Sequence, residues 1–85
     1  MLTPITLEPW AEDLADLYKL EDEVSKEVSS IALAVSRGKV HELTQYTLKH
    51  ENYLAALKWK RDRIRRDINQ MEEMHNVPVT RWEDV

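Results

Sequence analysis

Cysteine is absent from the 85-residue chain, and glycine and proline are scarce, with one glycine and three prolines. Without cysteine the chain can form neither a disulfide framework nor a thiolate metal site. Because few residues break a helix and 33% are charged, the composition predicts long helices with solvated faces. No apolar run approaches the ~20 residues of a membrane span, and the start of the chain resembles no secretion signal. We therefore expect a cytoplasmic protein with no membrane partner.

The stretch from residue 40 to residue 75 contains neither proline nor glycine and predicts one long helix. Its seam positions recur at spacings of three and four, which is the pattern of a helix that packs against another helix. Two columns define this seam: Leu43, His50, Leu57, Ile64 and Met71, and Thr47, Leu54, Arg61, Ile68 and His75.

A first helix is predicted before it, starting at Pro9, which suits the first turn of a helix. Its seam columns are Trp10, Leu17, Val24 and Ile31, and Leu14, Glu21, Val28 and Val35. Arg37 and Gly38 are typical of a helix end, with the glycine in a left-handed conformation. The competing interpretation, one helix continuous through Gly38, is disfavoured because the seam restarts out of phase at Leu43.

These signals predict an all-α fold, a two-helix antiparallel hairpin of the coiled-coil type. The single domain spans 1–85, with a lead-in at 1–8, a helix at 9–36, a turn at 37–40, a second helix at 41–76 and an extended tail at 77–85. Folding the chain at this turn places Val35 opposite Leu43 and Trp10 opposite Ile68. It also places Arg61 within one helical turn of Glu21, where the two could form an ion pair.

The charges support the antiparallel arrangement. Seven acidic residues lie between residues 12 and 27 of the first helix, with two lysines among them. The second helix opposes them with a basic segment at 58–66 that holds six cations and one acid. We expect the acidic face to pair with a large share of this segment and so to fix the register. The pairs would act more by selecting against wrong pairings than by adding stability, because exposed pairs add only about 0–1 kcal/mol each.

Apolar residues near the turn are too widely spread for one partner helix. A second hairpin could cover them, giving a homodimer that forms a four-helix bundle. The residues predicted to mediate self-association are Ile31, Leu33, Val35, Tyr46, Leu48, Tyr53 and Trp59.

The basic segment could instead contact phosphates, while its tryptophan could stack on a base. The candidate contacts with nucleic acid or another partner are Lys58, Lys60, Arg63, Arg65 and Arg66. The acidic face could itself imitate nucleic acid and inhibit a DNA-handling enzyme. For both faces the competing interpretation is a solvated surface that pairs within the chain.

Other polar residues give weaker signals. Glu72 and His75 have the Glu-x-x-His spacing of di-metal bundles, but four residues match by chance often. His50 is expected to be a hydrogen-bonded seam residue, not a ligand. Trp82 is expected to anchor the tail by folding back over the open end of the hairpin, near Trp10 and Met74.

We find no catalytic residue, cofactor motif or committed metal site, and we expect no enzyme. The most consistent function is a non-catalytic protein–protein interaction module, a small adaptor or regulatory protein that binds itself and an unidentified protein partner. The alternatives are a nucleic-acid-binding protein that uses segment 58–66 and an acidic mimic that inhibits a DNA-handling enzyme.

Overall fold

A computed structural model describes residues 8–82 of the chain. It contains two helices, α1 (Pro9–Val40) and α2 (Thr44–Met74), which pack against each other as an antiparallel hairpin. No strand is present among the described residues. The all-helical prediction of two packed helices is therefore confirmed. Residues 1–7 of the predicted lead-in and the last three residues, Glu83, Asp84 and Val85, lie outside the described range.

The seam follows the spacing of three and four along both helices. Its buried apolar side chains are Leu14, Val24, Val28, Val35, Leu57, Ile64 and Ile68. Trp10, Leu17, Ile31, Leu54, Met71 and Trp82 pack around this cluster. This stripe is the main apolar surface that each helix buries, and it stabilises the hairpin by removing that surface from water.

The turn comes later than predicted, because α1 continues through Gly38 to Val40 and the turn occupies residues 41–43. The predicted end of α1 at Ser36 is therefore wrong, and α2 starts at Thr44, not at residue 41. Leu43, expected to begin the second seam, is 49% exposed, and Thr47 is the first buried residue of α2.

Gly38 lies inside α1, where no side chain could be accommodated without a shift of its neighbours. It is not in the left-handed region. A Cβ at this position would collide with Oγ1 of Thr47 and would stand 2.9 Å from Cδ1 of Tyr46. The glycine therefore allows the two helices to approach closely near the turn, which is a different role from the predicted helix stop.

Both helices end in the same hydrogen-bonded motif. At α1 the amides of Glu42 and Leu43 donate to the carbonyls of Lys39 and Gly38, and Glu42 is left-handed with a φ of 55°. At α2 the amides of Asn76 and Val77 donate to Glu73 and Glu72 in the same way, and Asn76 has a φ of 57°. This is the Schellman arrangement, which usually places glycine where these two residues stand.

The register between the helices differs from the predicted one by about one heptad. Trp10 stacks on His75, with ring centroids 4.1 Å apart, instead of lying opposite Ile68. Glu21 accepts a hydrogen bond at 3.0 Å from Nε of Arg65, one turn beyond the predicted partner Arg61. A shift of about seven residues leaves the same stripe in the seam, so a heptad pattern cannot distinguish the two registers.

Candidate interaction surfaces

The hairpin has two lateral sides, which flank the seam and differ in what covers them. We call the tail side the one that carries Tyr18, Lys39, Glu51, Arg65 and Glu72. We call the open side the one that carries Asp16, Leu20, Glu23, Glu27 and Ala34 of α1 and Tyr46, Tyr53, Ala56, Lys60, Arg63 and Met74 of α2. Each helix contributes residues spaced mainly by seven to each side, as in a coiled coil.

The tail side holds a buried carboxylate that binds the end of the chain. Glu72 is 1% exposed. Its Oε2 accepts hydrogen bonds at 2.7 Å from the hydroxyl groups of Tyr18 and Thr80, and its Oε1 accepts one at 3.1 Å from the amide of Thr80. One side chain thus joins α1, α2 and the tail.

The hydrogen bonds decide the charge state of this group. Burial acts to raise the pKa of the Glu72 carboxyl, but the bonds from Thr80 and Tyr18 outweigh burial and hold the pKa below its ordinary value of 4.5. The same environment raises the pKa of the Tyr18 phenol, through burial and through its bond to Glu72. Glu72 is therefore ionised and acts as an acceptor at neutral pH.

Trp82 lies farther along the tail side than the predicted position near Trp10 and Met74. Its indole Nε1 donates to the amide oxygen of Asn69 at 3.2 Å, and the guanidinium of Arg65 stands 4.9 Å from its ring centroid. The tail thus runs back along α2, and Trp82 packs against the core cluster.

The Glu-x-x-His residues are occupied by contacts within the fold. Both oxygens of Glu72 accept bonds from Tyr18 or Thr80, and His75 stacks on Trp10. Within residues 8–82 no group of three or more potential ligands could hold a metal ion.

The self-association residues divide into two groups. Val35 is buried in the seam and Ile31 packs against the core, so these two already have partners inside the chain. The other five are exposed, although the apolar part of each is large: Leu33, Tyr46, Leu48, Tyr53 and Trp59. Tyr46 and Tyr53 lie on the open side, and Tyr53 donates a hydrogen bond to Glu27 there.

The basic segment is paired much less than expected. Arg65 is bonded to Glu21 across the seam, and Arg61 approaches only Asp62 on its own helix. In the described part of the chain, four of the cations form no ion pair: Lys58, Lys60, Arg63 and Arg66. The expectation that α1 pairs with a large share of this segment is therefore wrong. These four cations lie off the seam, and Arg61, which lies in the seam, approaches no acid of α1.

An exposed aromatic ring stands among these cations. Trp59 is 65% exposed, and the guanidinium of Arg63 lies 5.8 Å from its ring centroid. The acidic face of α1 is likewise open, since Asp16 and Glu23 are exposed and form no ion pair within residues 8–82. The turn-distal half thus presents unpaired charges of opposite sign on its two helices.

His50 is half-buried at the seam margin, as a structural residue would be. Its Nδ1–H donates to the carbonyl of Tyr46 at 2.7 Å, and its ring lies 4.0 Å from the ring of Tyr46. The local turn of α2 holds this imidazole in place.

Sequence reasoning missed the role of Glu72 as the acceptor for the tail. A glutamate at the end of a charged helix resembles any solvated residue, and Thr80 is eight positions away. Only the hydroxyl-bearing, proline-containing tail gives a weak signal that an extended segment follows. The chain itself contains no pattern that would pair these two residues.

Comparisons with known proteins return no match, whether to a family model, to a curated protein or to a solved structure. Within residues 8–82 neither helix is apolar enough over a sufficient length to cross a membrane. The function is therefore argued from the surfaces alone.

Proposed function

We propose that the protein is a non-catalytic interaction module, a small adaptor or regulatory protein that self-associates through the turn-proximal half of its hairpin. The observation that carries the proposal is the set of large apolar side chains left exposed there. They are Leu33, Val40, Leu43, Tyr46, Leu48, Tyr53 and, toward the middle of α2, Trp59. Large apolar side chains gathered in the exposed surface of one region mark interaction sites in soluble proteins.

The size of the chain supports the same function. A chain of 85 residues buries a small core, and the seam alone accounts for most of it. A second hairpin would extend the core to four helices and cover aromatic side chains that a single copy leaves in water. Surfaces that remain open in the bundle would then bind the protein partner.

The first test is the molar mass by light scattering at micromolar concentration. We expect a mass near twice 10.1 kDa, and replacement of both Tyr46 and Tyr53 by serine should return the chain to monomer. Asn52→Ser, also exposed on α2, is the matched control and should leave the mass unchanged. A wild-type mass of 10.1 kDa at all concentrations contradicts the proposal.

A second candidate function is nucleic-acid binding through α2. It is favoured by the exposure of Trp59 beside three cations, Lys60, Arg63 and Arg66, that have no ion-pair partner in the described chain. A positively charged helix face with an aromatic ring can bind single strands without sequence preference. Against it stands the net charge of −4.

A gel shift with a single-stranded oligonucleotide at low salt tests this candidate. Binding should weaken steeply with added salt and fall when Trp59 and Arg66 are replaced by alanine, whereas Lys39→Ala, near the turn, should have little effect. Absence of any shift at low salt removes the candidate.

A further inference from the structure

The open side carries complementary features on its two helices. On α1, Asp16 and Glu23 are exposed acids, and Ala34 is a small residue nearer the turn. On α2, Lys60 and Arg63 are exposed cations, while Tyr46 and Tyr53 are large side chains nearer the turn, 42% and 47% exposed. In the turn-distal half, α1 thus presents acids and α2 presents cations. Nearer the turn, α1 presents a small side chain and α2 presents large ones.

The register places these features at matching levels along the hairpin. Glu21 is bonded to Arg65 and Glu27 to Tyr53. Since the helices run antiparallel between these two contacts, Glu23 lies at about the level of Lys60. Glu23, Lys60 and Arg63 form no ion pair within residues 8–82. Their charges are therefore available to another molecule.

The opposite side is already covered in the turn-distal half. The tail lies there, fixed by the bonds from Thr80 to Glu72 and from Trp82 to Asn69. The open side has no such cover from the described chain. The two lateral faces of the hairpin are therefore not equivalent as docking surfaces.

From these observations we infer that the open side is the face on which a second copy docks, turn beside turn, with α1 of each copy packed against α2 of the other. This inference rests on the proposed self-association and specifies its face and orientation. A two-fold axis along the hairpin puts Lys60 and Arg63 of one copy against Glu23 of the other, since all three lie at about the same level. It also sets Tyr46 and Tyr53 against the small side of Ala34, as large-to-small packing requires.

The other symmetric face-to-face arrangement is disfavoured by charge. A two-fold axis across the helices places each helix opposite itself, turn against open end. Lys60 would then face Lys60, and Glu23 would face Glu23. Like charges in register select against this arrangement, while opposite charges select for the first.

The turn-beside-turn dimer leaves part of the exposed surface uncovered. It covers Lys60 and Arg63 but leaves Trp59 and Arg66 at its margin, because these lie on the outer face of α2. Leu48 and the tail lie on the side away from the partner. These exposed groups are the surfaces that remain for another protein.

Charge complementation tests the contact. Lys60→Glu and Glu23→Lys each create two like-charge contacts per dimer, so each variant alone should dimerise about tenfold more weakly, as expected when two exposed pairs change sign. Mixing the two variants restores both contacts in the heterodimer, and the dimer mass should return in light scattering. Lys58→Glu, toward the tail side, is the matched control and should dimerise like the wild type.

Orientation is measured separately with a single spin label. The chain has no cysteine, so Glu42→Cys provides one label at the turn. Turn-beside-turn packing predicts a label-to-label distance of about 20–30 Å by electron resonance, whereas the opposed arrangement predicts about 50 Å from the helical rise.

The outcomes separate the inference from the proposed function. A dimer with the short distance and with complementation supports both. A dimer with the long distance, or one that the single charge variants leave unchanged, overturns the inference and leaves self-association standing. A monomer at every concentration overturns both. Circular dichroism of each variant verifies that the helices remain folded.

Discussion

The two ends of the hairpin differ in how the residues outside the seam are covered. At the turn-distal end the chain covers itself, since Glu72 accepts three hydrogen bonds and Trp82 packs against the core. At the turn the helices meet through Gly38, and Oγ1 of Thr47 is buried with no hydrogen-bond partner in the described chain. The tail covers one side of the distal end, whereas the aromatic residues near the turn remain exposed.

The difference shows how a two-helix protein uses a short extension. A hairpin has a single seam, so every side chain off that seam faces water unless a further element covers it. The tail supplies that element on one side and at one end only. The other side and the other end are where a second molecule gains most from binding.

Removal of the tail's acceptor should have the largest effect on this contrast. Glu72→Ala leaves the donors of Tyr18 and Thr80 without their partner, and we expect a loss of about 3 kcal/mol in the free energy of unfolding. Urea denaturation measures it. The neighbouring exposed residue gives the control, because Glu73→Ala should change stability by no more than about 0.5 kcal/mol. Equal effects of the two variants would mean that the tail contributes nothing.

Truncation of the tail's aromatic residue should have the next largest effect. Trp82→Ala removes a half-buried ring from the core margin together with its bond to Asn69. We expect a loss of about 2 kcal/mol, measured by urea denaturation, and faster proteolysis of the tail. Val79→Ala, an exposed change in the same segment, should be near neutral. If Trp82→Ala were also neutral, the position of Trp82 along α2 would be in doubt.

The turn end is tested by adding one methyl group. Gly38→Ala gains about 1 kcal/mol of helix propensity but forces Thr47 away, and we expect a net loss of about 1–2 kcal/mol. In a Thr47→Ala background the colliding oxygen is gone and only the Tyr46 ring must shift, so the same change should cost clearly less. A double-mutant cycle of thermal or urea unfolding measures this coupling. Additive effects would contradict the close approach.

The left-handed residue of the turn offers a stabilising change. Glu42 has a φ of 55°, a conformation that glycine adopts without strain. We expect Glu42→Gly to raise the free energy of unfolding by about 0.5–1 kcal/mol. His41→Gly, one residue earlier with a φ of −93°, is the control and should destabilise. The opposite order would show that the turn is not the one described.

The smallest effect is expected from mild acid. Folding lowers the pKa of the Glu72 carboxyl from its ordinary value of 4.5. The stability that the carboxylate contributes is therefore fully present above about pH 4.5, and it is lost as the pH falls through the folded-state pKa. The wild type should therefore lose more stability in this window than Glu72→Gln, in which the group cannot titrate. Urea midpoints on either side of pH 4.5 measure the difference. Parallel curves for the two proteins would contradict the lowered pKa.

Much of the fold could be predicted because helical periodicity reports on burial directly. The residues predicted for the seam, such as Leu14, Val28 and Ile64, are buried, and both helices exist. The end of α1 could not be predicted, since Gly38 has the composition of a helix stop but is needed for close packing. Nothing in the residues around Glu42 announces a left-handed conformation.

The candidate surfaces were predicted less well than the fold. The basic segment lies within α2, the second helix. Its pairing with α1 was predicted wrongly, because pairing depends on the direction in which each side chain leaves the helix. Arg65 faces the seam, whereas Arg63 and Arg66, on either side of it in sequence, do not. The position of Trp82 depended on a bond to Asn69 that no spacing implies.

The sequence by itself determined two amphipathic helices and the stripe along which they meet, because a period near 3.5 residues is written into every turn of the chain. Tertiary structure decided the register, the turn and the path of the tail. A heptad repeat looks the same after a shift of seven residues, so only contacts between distant residues could choose. The contact at Gly38, the Trp10–His75 stack and the hydrogen bonds of Glu72 fix that choice.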